Sequence, residues 1–205
     1  MLDKPSAGLQ VVNYTRNETL FRQGDVADAI YYIVDGTLMF STVARGGKEA
    51  VISVRGRGEV IGQNVLTGRR HREYTATALS GGTATRIELS SALRLIDSNP
   101  HFTKFLLASC IVKNRGSQEM VVDHIVHNSE IRLARLLLRL ADTNDPDNEP
   151  GAIPQVSQEI LAQMIGTTRG RVNIFLNRLR RDGLIEWETP IRVHRPRVKR
   201  LLQQY

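Results

Sequence analysis

The sequence predicts an α+β protein: an antiparallel β-structure first, a long helix in the middle, and a winged helix-turn-helix at the C-terminal end. Three observations predict it. Roughly the first 90 residues are rich in glycine between short β-like runs. A proline-free stretch follows at residues 101–127. Residues 156–185 then read as helix, tight turn and longer helix.

In the first segment, glycines from Gly24 to Gly82 punctuate β-like runs at residues 29–34, 37–43, 49–54, 74–79 and 83–89. Many short strands at close turn spacing indicate an antiparallel sandwich or barrel, not a parallel α/β sheet. Arg45-Gly46-Gly47-Lys48 reads as a hairpin tip.

Residues 90–97 read as a short helix, and Asn99-Pro100 opens a longer one. Phe102, Phe105, Leu106, Ser109, Val112 and Gly116 form one stripe on it, which Met120, Val121 and Ile125 extend. A helix of this length between two domains is a candidate dimer contact, with Phe105, Leu106, Val112 and Met120 as contact residues. The plainer alternative is a helix packed on its own sheet. Cys110, on the apolar side, is expected to be a buried, inert thiol. Asn128-Ser129-Glu130 marks a break and an N-cap, and an amphipathic helix follows from Ile131 to Ala141.

In the helix-turn-helix, Ser157 caps the first helix, whose buried face is Ile160, Leu161, Met164 and Ile165. Gly166 makes the turn, Thr167 or Thr168 caps the second helix, and Val172, Phe175, Leu176 and Leu179 face inward. The opposite face presents Arg169, Arg171, Asn173, Asn177 and Arg178, side-chain types suited to phosphates and base edges. Residues 184–187 and 191–194 then form a two-stranded wing. The charge count agrees: residues 165–205 hold ten Lys and Arg against three Asp and Glu, the whole net charge of +7, while the preceding 164 residues are neutral. That is an electrostatic footprint for nucleic acid.

Composition bounds the rest. No apolar run reaches transmembrane length, residues 1–9 lack a signal-peptide core, and one cysteine excludes an internal disulfide framework, so cytoplasm is the expected compartment and no membrane partner is expected. No metal site is expected.

The motifs occur in an order that resembles the CRP/FNR superfamily of bacterial transcription regulators: L-F-R-Q-G-D at 20–25, I-Y-Y-I-V-D-G-T-L at 30–38, G-K-E at 47–49, G-E-V-I-G at 58–62, N-P at 99–100, then the helix-turn-helix. The resemblance covers nearly the whole chain. It implies a jelly-roll-like β-roll sensor over residues 1–98, a dimerisation helix over 99–127 and a winged helix-turn-helix over 128–205. It further implies a homodimer on a double-stranded operator with half-sites ~34 Å apart, and RNA polymerase as a further partner. The stretch before the first strand is short, so the family's leading helix is expected to be reduced or absent.

In relatives that respond to cyclic AMP, the segment after G-E-x-I-G cradles the phosphate, a Glu binds the ribose, and an Arg-Ser pair holds the phosphate. Here Gly62 is followed by Gln63, and Arg72 takes the Arg position with Glu73 in place of Ser, next to Tyr74. Ser117 and Gln118 fall where those relatives contact the base. A carboxylate beside a phosphodiester repels it, so cyclic nucleotide binding is left open but disfavoured. Arg69, Arg70, His71 and Arg72 could form an anion site, although a solvated turn is the plainer reading. A single thiol excludes an iron–sulfur cluster borne by one chain. His71, His101, His124 and His127 show no spacing that marks a haem-ligand pair, and regulation without any effector stays open.

On the recognition helix the resemblance gives Arg169 as the first base reader, while Gly170 replaces a Glu and Ile174 a second Arg. Arg169 is expected on guanine and Asn173 on adenine, with Arg171 on base or phosphate. Thr168, Ser157, Arg178 and Arg192 are candidate phosphate contacts. An enzyme is disfavoured because the sequence holds no P-loop, paired metal ligands or nucleophile elbow. A sequence-tolerant architectural binder would be basic throughout, which this chain is not.

Overall fold

A computed structural model of the protein describes residues 8–205. The leading helix considered from the resemblance would fall in residues 1–7, outside the described residues. The chain divides into two compact units, Met1–Glu49 with Arg55–Ser117, and Ala50–Val54 with Gln118–Tyr205. The division falls inside the long helix, not at its ends.

The first unit carries β1 (Leu9–Tyr14), β2 (Thr19–Phe21), β3 (Ala29–Asp35), β4 (Leu38–Val43), the start of β5 (Glu49–Arg55), β6 (Val60–Ile61), β7 (Thr75–Ala78) and β8 (Gly82–Glu88). One sheet has the order β1-β8-β3-β6, and β2, β7 and β4 neighbour one another in that order in a second. The pairings are antiparallel, with Leu9 opposite Ile87 and Phe40 opposite Ala76. Ile33, Leu38, Phe40, Ile61, Ala76 and Ala84 form one core, as alternation along antiparallel strands dictates. Ile30, Val60, Val65, Ile87 and Ala92 form another with Leu106, which reaches in from a helix.

That helix is α2 (Pro100–Val126), preceded by α1 (Leu89–Ser98). Asn99 starts α2 by accepting hydrogen bonds from the backbone N–H of His101 and Phe102, both at 3.1 Å. At 27 residues it is about 40 Å long. No helix of the described residues is long and apolar enough to cross a membrane.

The second unit contains α3 (Ser129–Asn144), β9 (Gly151–Ala152), α4 (Gln158–Ile165), α5 (Arg169–Arg181), β10 (Ile185–Glu186), β11 (Arg192–Val193) and α6 (Arg195–Leu202). Leu133, Leu137, Leu161, Ile165, Val172, Leu176, Leu179, Ile185 and Val198 share one core. The wing hairpin forms as expected, but with a third strand: the sheet order is β10-β11-β9. β9 and α6 are not foreseen from the sequence. β9 is two residues inside a loop of turn formers, and α6 carries Pro196 in its first turn within a run dominated by cations.

Candidate nucleic-acid interface and effector pocket

The turn between α4 and α5 is built by three short-range devices. The Ser157 hydroxyl accepts from the N–H of Ile160 at 3.2 Å and caps α4. Gly166 ends α4 at φ 64°, a left-handed conformation that residues with a Cβ adopt at a cost. The Thr168 hydroxyl then accepts from Arg171 N–H at 3.4 Å and caps α5. Because Val172, Leu176 and Leu179 are buried, α5 must turn its other face outward. Arg169, Gly170, Arg171, Asn173, Ile174, Asn177 and Arg178 are exposed there.

The eight candidate DNA contacts are not equally free. The side chains of Arg169, Arg171 and Asn173 have no hydrogen-bond or ion-pair partner among the described residues. Arg178 is paired with Glu130 at 2.6 Å, so a phosphate would have to compete with that carboxylate. Arg192 is half-buried and donates to the Pro150 carbonyl at 3.1 Å. Thr168, Arg169, Gly170, Arg171 and Asn173 form one patch, while Ser157 stands at the start of α4 and Arg192 within the wing sheet.

Of the candidate effector residues, Gly62, Gln63, Arg72 and Glu73 lie at or against a 3₁₀ turn at Gln63–Thr67, with Gly62 at φ 77°. The basic run does not behave as one solvated turn. Arg69, Arg70 and His71 are exposed, but Arg72 is only 6% exposed, a correction to the plainer reading. Its backbone is fixed by N–H donation to the Asp25 carbonyl at 2.8 Å, and its guanidinium lies 4.5 Å from the Phe21 ring centroid. The Arg72 Nη1 atom is so near Gly62 that a Cβ there would sit 2.6 Å away. Nε and Nη1 of Arg72 are buried with no hydrogen-bond partner among the described residues, and the Asp28 carboxylate stands 3.7 Å from Nη2. Burial lowers the Arg72 pKa from the usual guanidinium value.

Glu73 turns to its neighbours, accepting from Asn64 Nδ2 and pairing with Arg69 at 3.5 Å. Tyr74 is exposed. From α2, Lys113 reaches Gln63, a contact that sequence reasoning missed. Its ammonium donates to the Val60 carbonyl and, at 3.0 Å, to Gln63 Oε1. Burial, then the Arg55 cation, lowers its pKa to about 8. Gln63 Nε2 is buried without a partner among the described residues. Ser117 spends its hydroxyl on the Lys113 carbonyl at 3.1 Å, and both Ser117 and Gln118 are exposed.

Two expectations about α2 need correction. Leu106 is 6% exposed and packs in the core of its own unit, so it is not on a free contact face. Cys110 is exposed, not buried. The uncovered face is displaced around the helix: Leu107, Ile111, Asn114, Gln118, Val121 and Ile125 are all exposed and alternate at spacings of four and three, a heptad seam. Phe105 is 40% exposed and packs edge-on against Tyr32, Val112 is exposed, and Met120 is half-buried.

At the junction of α2 and α3, Asp123 is buried and paired with Arg135 at 3.1 Å and Arg139 at 3.6 Å. Arg132 donates to the His127 carbonyl at 3.0 Å and to the Ile165 carbonyl, at the end of α4, at 3.1 Å. These bonds tie the end of α2, α3 and the turn before α5 together within the second unit. No cluster of three or more His, Cys, Asp or Glu side chains among the described residues could hold a metal ion.

Comparison with known proteins decides the family. The sequence matches the family model of a cyclic nucleotide-binding domain over residues 11–99 and that of a Crp-like helix-turn-helix domain over residues 131–203. The chain belongs to the CRP/FNR superfamily of transcription regulators. Regulators of this family bind DNA and act as dimers. A CRP-like cAMP-activated global transcriptional regulator of Mycobacterium tuberculosis is 26% identical over 183 residues, 88% of this chain and 81% of that protein. The global nitrogen regulator of a Nostoc species is 28% identical over 193 residues, 91% of this chain and 86% of that protein. FixK2 from Bradyrhizobium japonicum shares the CRP/FNR fold with a TM-score of 0.80 over 94% of this chain and 96% of that one, at 18% identity.

Proposed function

We propose that this chain is a homodimeric regulator that reads a two-half-site operator with α5, and that cyclic AMP is not its effector. The observation that carries the first part is the exposed face of α5, where Arg169, Arg171 and Asn173 have no protein partner among the described residues. Arg169 donates to guanine O6 and N7, Asn173 engages adenine N6 and N7, and Arg171 takes a base or a phosphate. Gly170 lets the backbone come close, and Thr168, Ser157, Arg178 and Arg192 position the chain on phosphates. Two copies joined along α2 place their recognition helices ~34 Å apart. The regulator works in the cytoplasm, with RNA polymerase as a further partner.

The second part is supported by the surroundings of Gln63 and Arg72. The Gln63 amide oxygen is already held by Lys113, and the Glu73 carboxylate stands next to Arg72 in the chain. A ribose would have to displace the first, and a phosphodiester would be repelled by the second. One observation favours the opposite reading: the unpartnered nitrogens of Arg72 suit an anion, a cyclic nucleotide among them.

Titration calorimetry with micromolar cyclic AMP separates the two. The expected result is no saturable heat, and a saturable micromolar isotherm would establish the cyclic-nucleotide reading instead. Binding to selected against random duplex at physiological salt should differ by ~10³ or more if α5 reads sequence.

A further inference from the structure

We propose that Ile174 reads thymine: its side chain rests against the 5-methyl group of one thymine in each half-site, beside the adenine held by Asn173. The inference deepens the assignment of α5 as the groove-reading helix and rests on it.

Ile174 is the one large apolar side chain on the exposed face of α5, at 57% exposure among arginines and asparagines. The other apolar residues of that helix, Val172, Phe175, Leu176 and Leu179, all belong to the core of the unit or pack against it. Ile174 is not among them and stands outside that core. It follows Asn173 directly and lies one turn beyond Gly170, at a spacing that puts Gly170, Ile174 and Asn177 on one outward stripe. A Cβ at Gly170 would meet nothing within 4 Å, so the surface in front of Ile174 is bare and open to a neighbouring molecule.

In the major groove the single apolar feature of any base pair is the thymine methyl, and the partner of thymine is adenine, whose N6 and N7 suit an asparagine amide. An amide and a branched aliphatic side chain at consecutive positions therefore match the two features that distinguish A·T from the other pairs. A branched side chain with few rotamers also orders at small entropic cost when it meets the methyl. Burying one methyl is worth about fourfold in affinity per half-site, or roughly fifteenfold when both half-sites are altered.

The test uses the full-length protein and its selected operator, in which each thymine is replaced in turn by deoxyuridine, a change that removes only the methyl. Wild type should lose about fourfold at one position per half-site. Ile174→Ala should bind the unmodified operator more weakly by a similar factor and show no further loss on uracil substitution. Because Ile174 is exposed and alanine favours helix, the variant folds. The proposal is overturned if uracil is neutral at every position, or if Ile174→Ala keeps the full uracil penalty. Failure of the underlying assignment looks different: wild type would then bind selected and random duplex alike.

Discussion

Arg195 opens α6, and its guanidinium lies among groups from the end of α3 and the loop after it. Nε donates to Asp142 at 2.7 Å, Nη2 to the Ala141 carbonyl at 3.0 Å and to the Asp145 carbonyl, and Nη1 to Glu149 at 3.3 Å and the Asn148 carbonyl. The side chain is only 10% exposed. Removing it leaves carbonyls and two carboxylates without their cation, so Arg195→Ala should lower stability by about 3–5 kcal/mol. Urea unfolding measures this, and a loss below 1 kcal/mol would show the network to be incidental. From the sequence, Arg195 is one cation in a basic tail, and nothing in R-P-R-V-K-R separates the buried one from the solvated ones. The same limit hid Arg72 inside R-R-H-R. Lys113 offers a pH test. Its folded-state pKa of about 8 lies below the ordinary 10.5, so between those values the unfolded chain binds more protons and stability rises with pH. Wild type should therefore gain on Lys113→Met by up to about 3 kcal/mol as pH rises from 8 to 10.5. A stability difference that stays flat over that window contradicts the burial of the ammonium.

At the scale of the element, α2 shows why its contact face could not be chosen from the sequence. A helix with one apolar stripe announces which side is buried, but α2 has apolar residues nearly all round. One side, with Phe102 and Leu106, belongs to the core of its own unit. Another, with Leu107, Ile111, Val121 and Ile125, is left exposed. Two apolar faces cancel in the periodicity, so the sequence supports a long helix without saying which residues meet a second copy. By contrast, the helix starts at Asn99, Asn128 and Ser157 were legible, and that at Thr167 or Thr168 to within one residue, because a cap is a local matter of one side chain and its next three residues. The two α2 faces separate by mutation. Val121→Arg sets a cation against its own copy in a symmetric seam and should leave monomers in sedimentation equilibrium. Leu106→Ala should cost about 2–5 kcal/mol in stability while the mass stays that of a dimer. The reverse pattern would restore Leu106 to the contact face.

For the whole molecule, the order of parts was legible, since a glycine-punctuated β-region, a proline-free helix and a paired helix motif each carry their own periodicity. β1, β2, β6 and β9 were not, being short or irregular strands whose existence depends on pairing partners distant in the chain, such as Leu9 opposite Ile87. Charge asymmetry was the most direct functional signal, because net charge needs no fold to be counted. In the structure it resolves into bound and free cations: Arg178, Arg192 and Arg195 have partners within their unit, and Arg169 and Arg171 have none among the described residues. The central claim is that those free cations meet bases in two half-sites at once. Selection of bound duplexes by wild type and by Arg169→Ala tests it most directly. The account predicts a two-fold symmetric motif for wild type, with half-site centres ~10 base pairs apart, and loss of one guanine preference per half-site in the variant. Identical motifs from the two proteins, or no enriched motif from wild type, would contradict it.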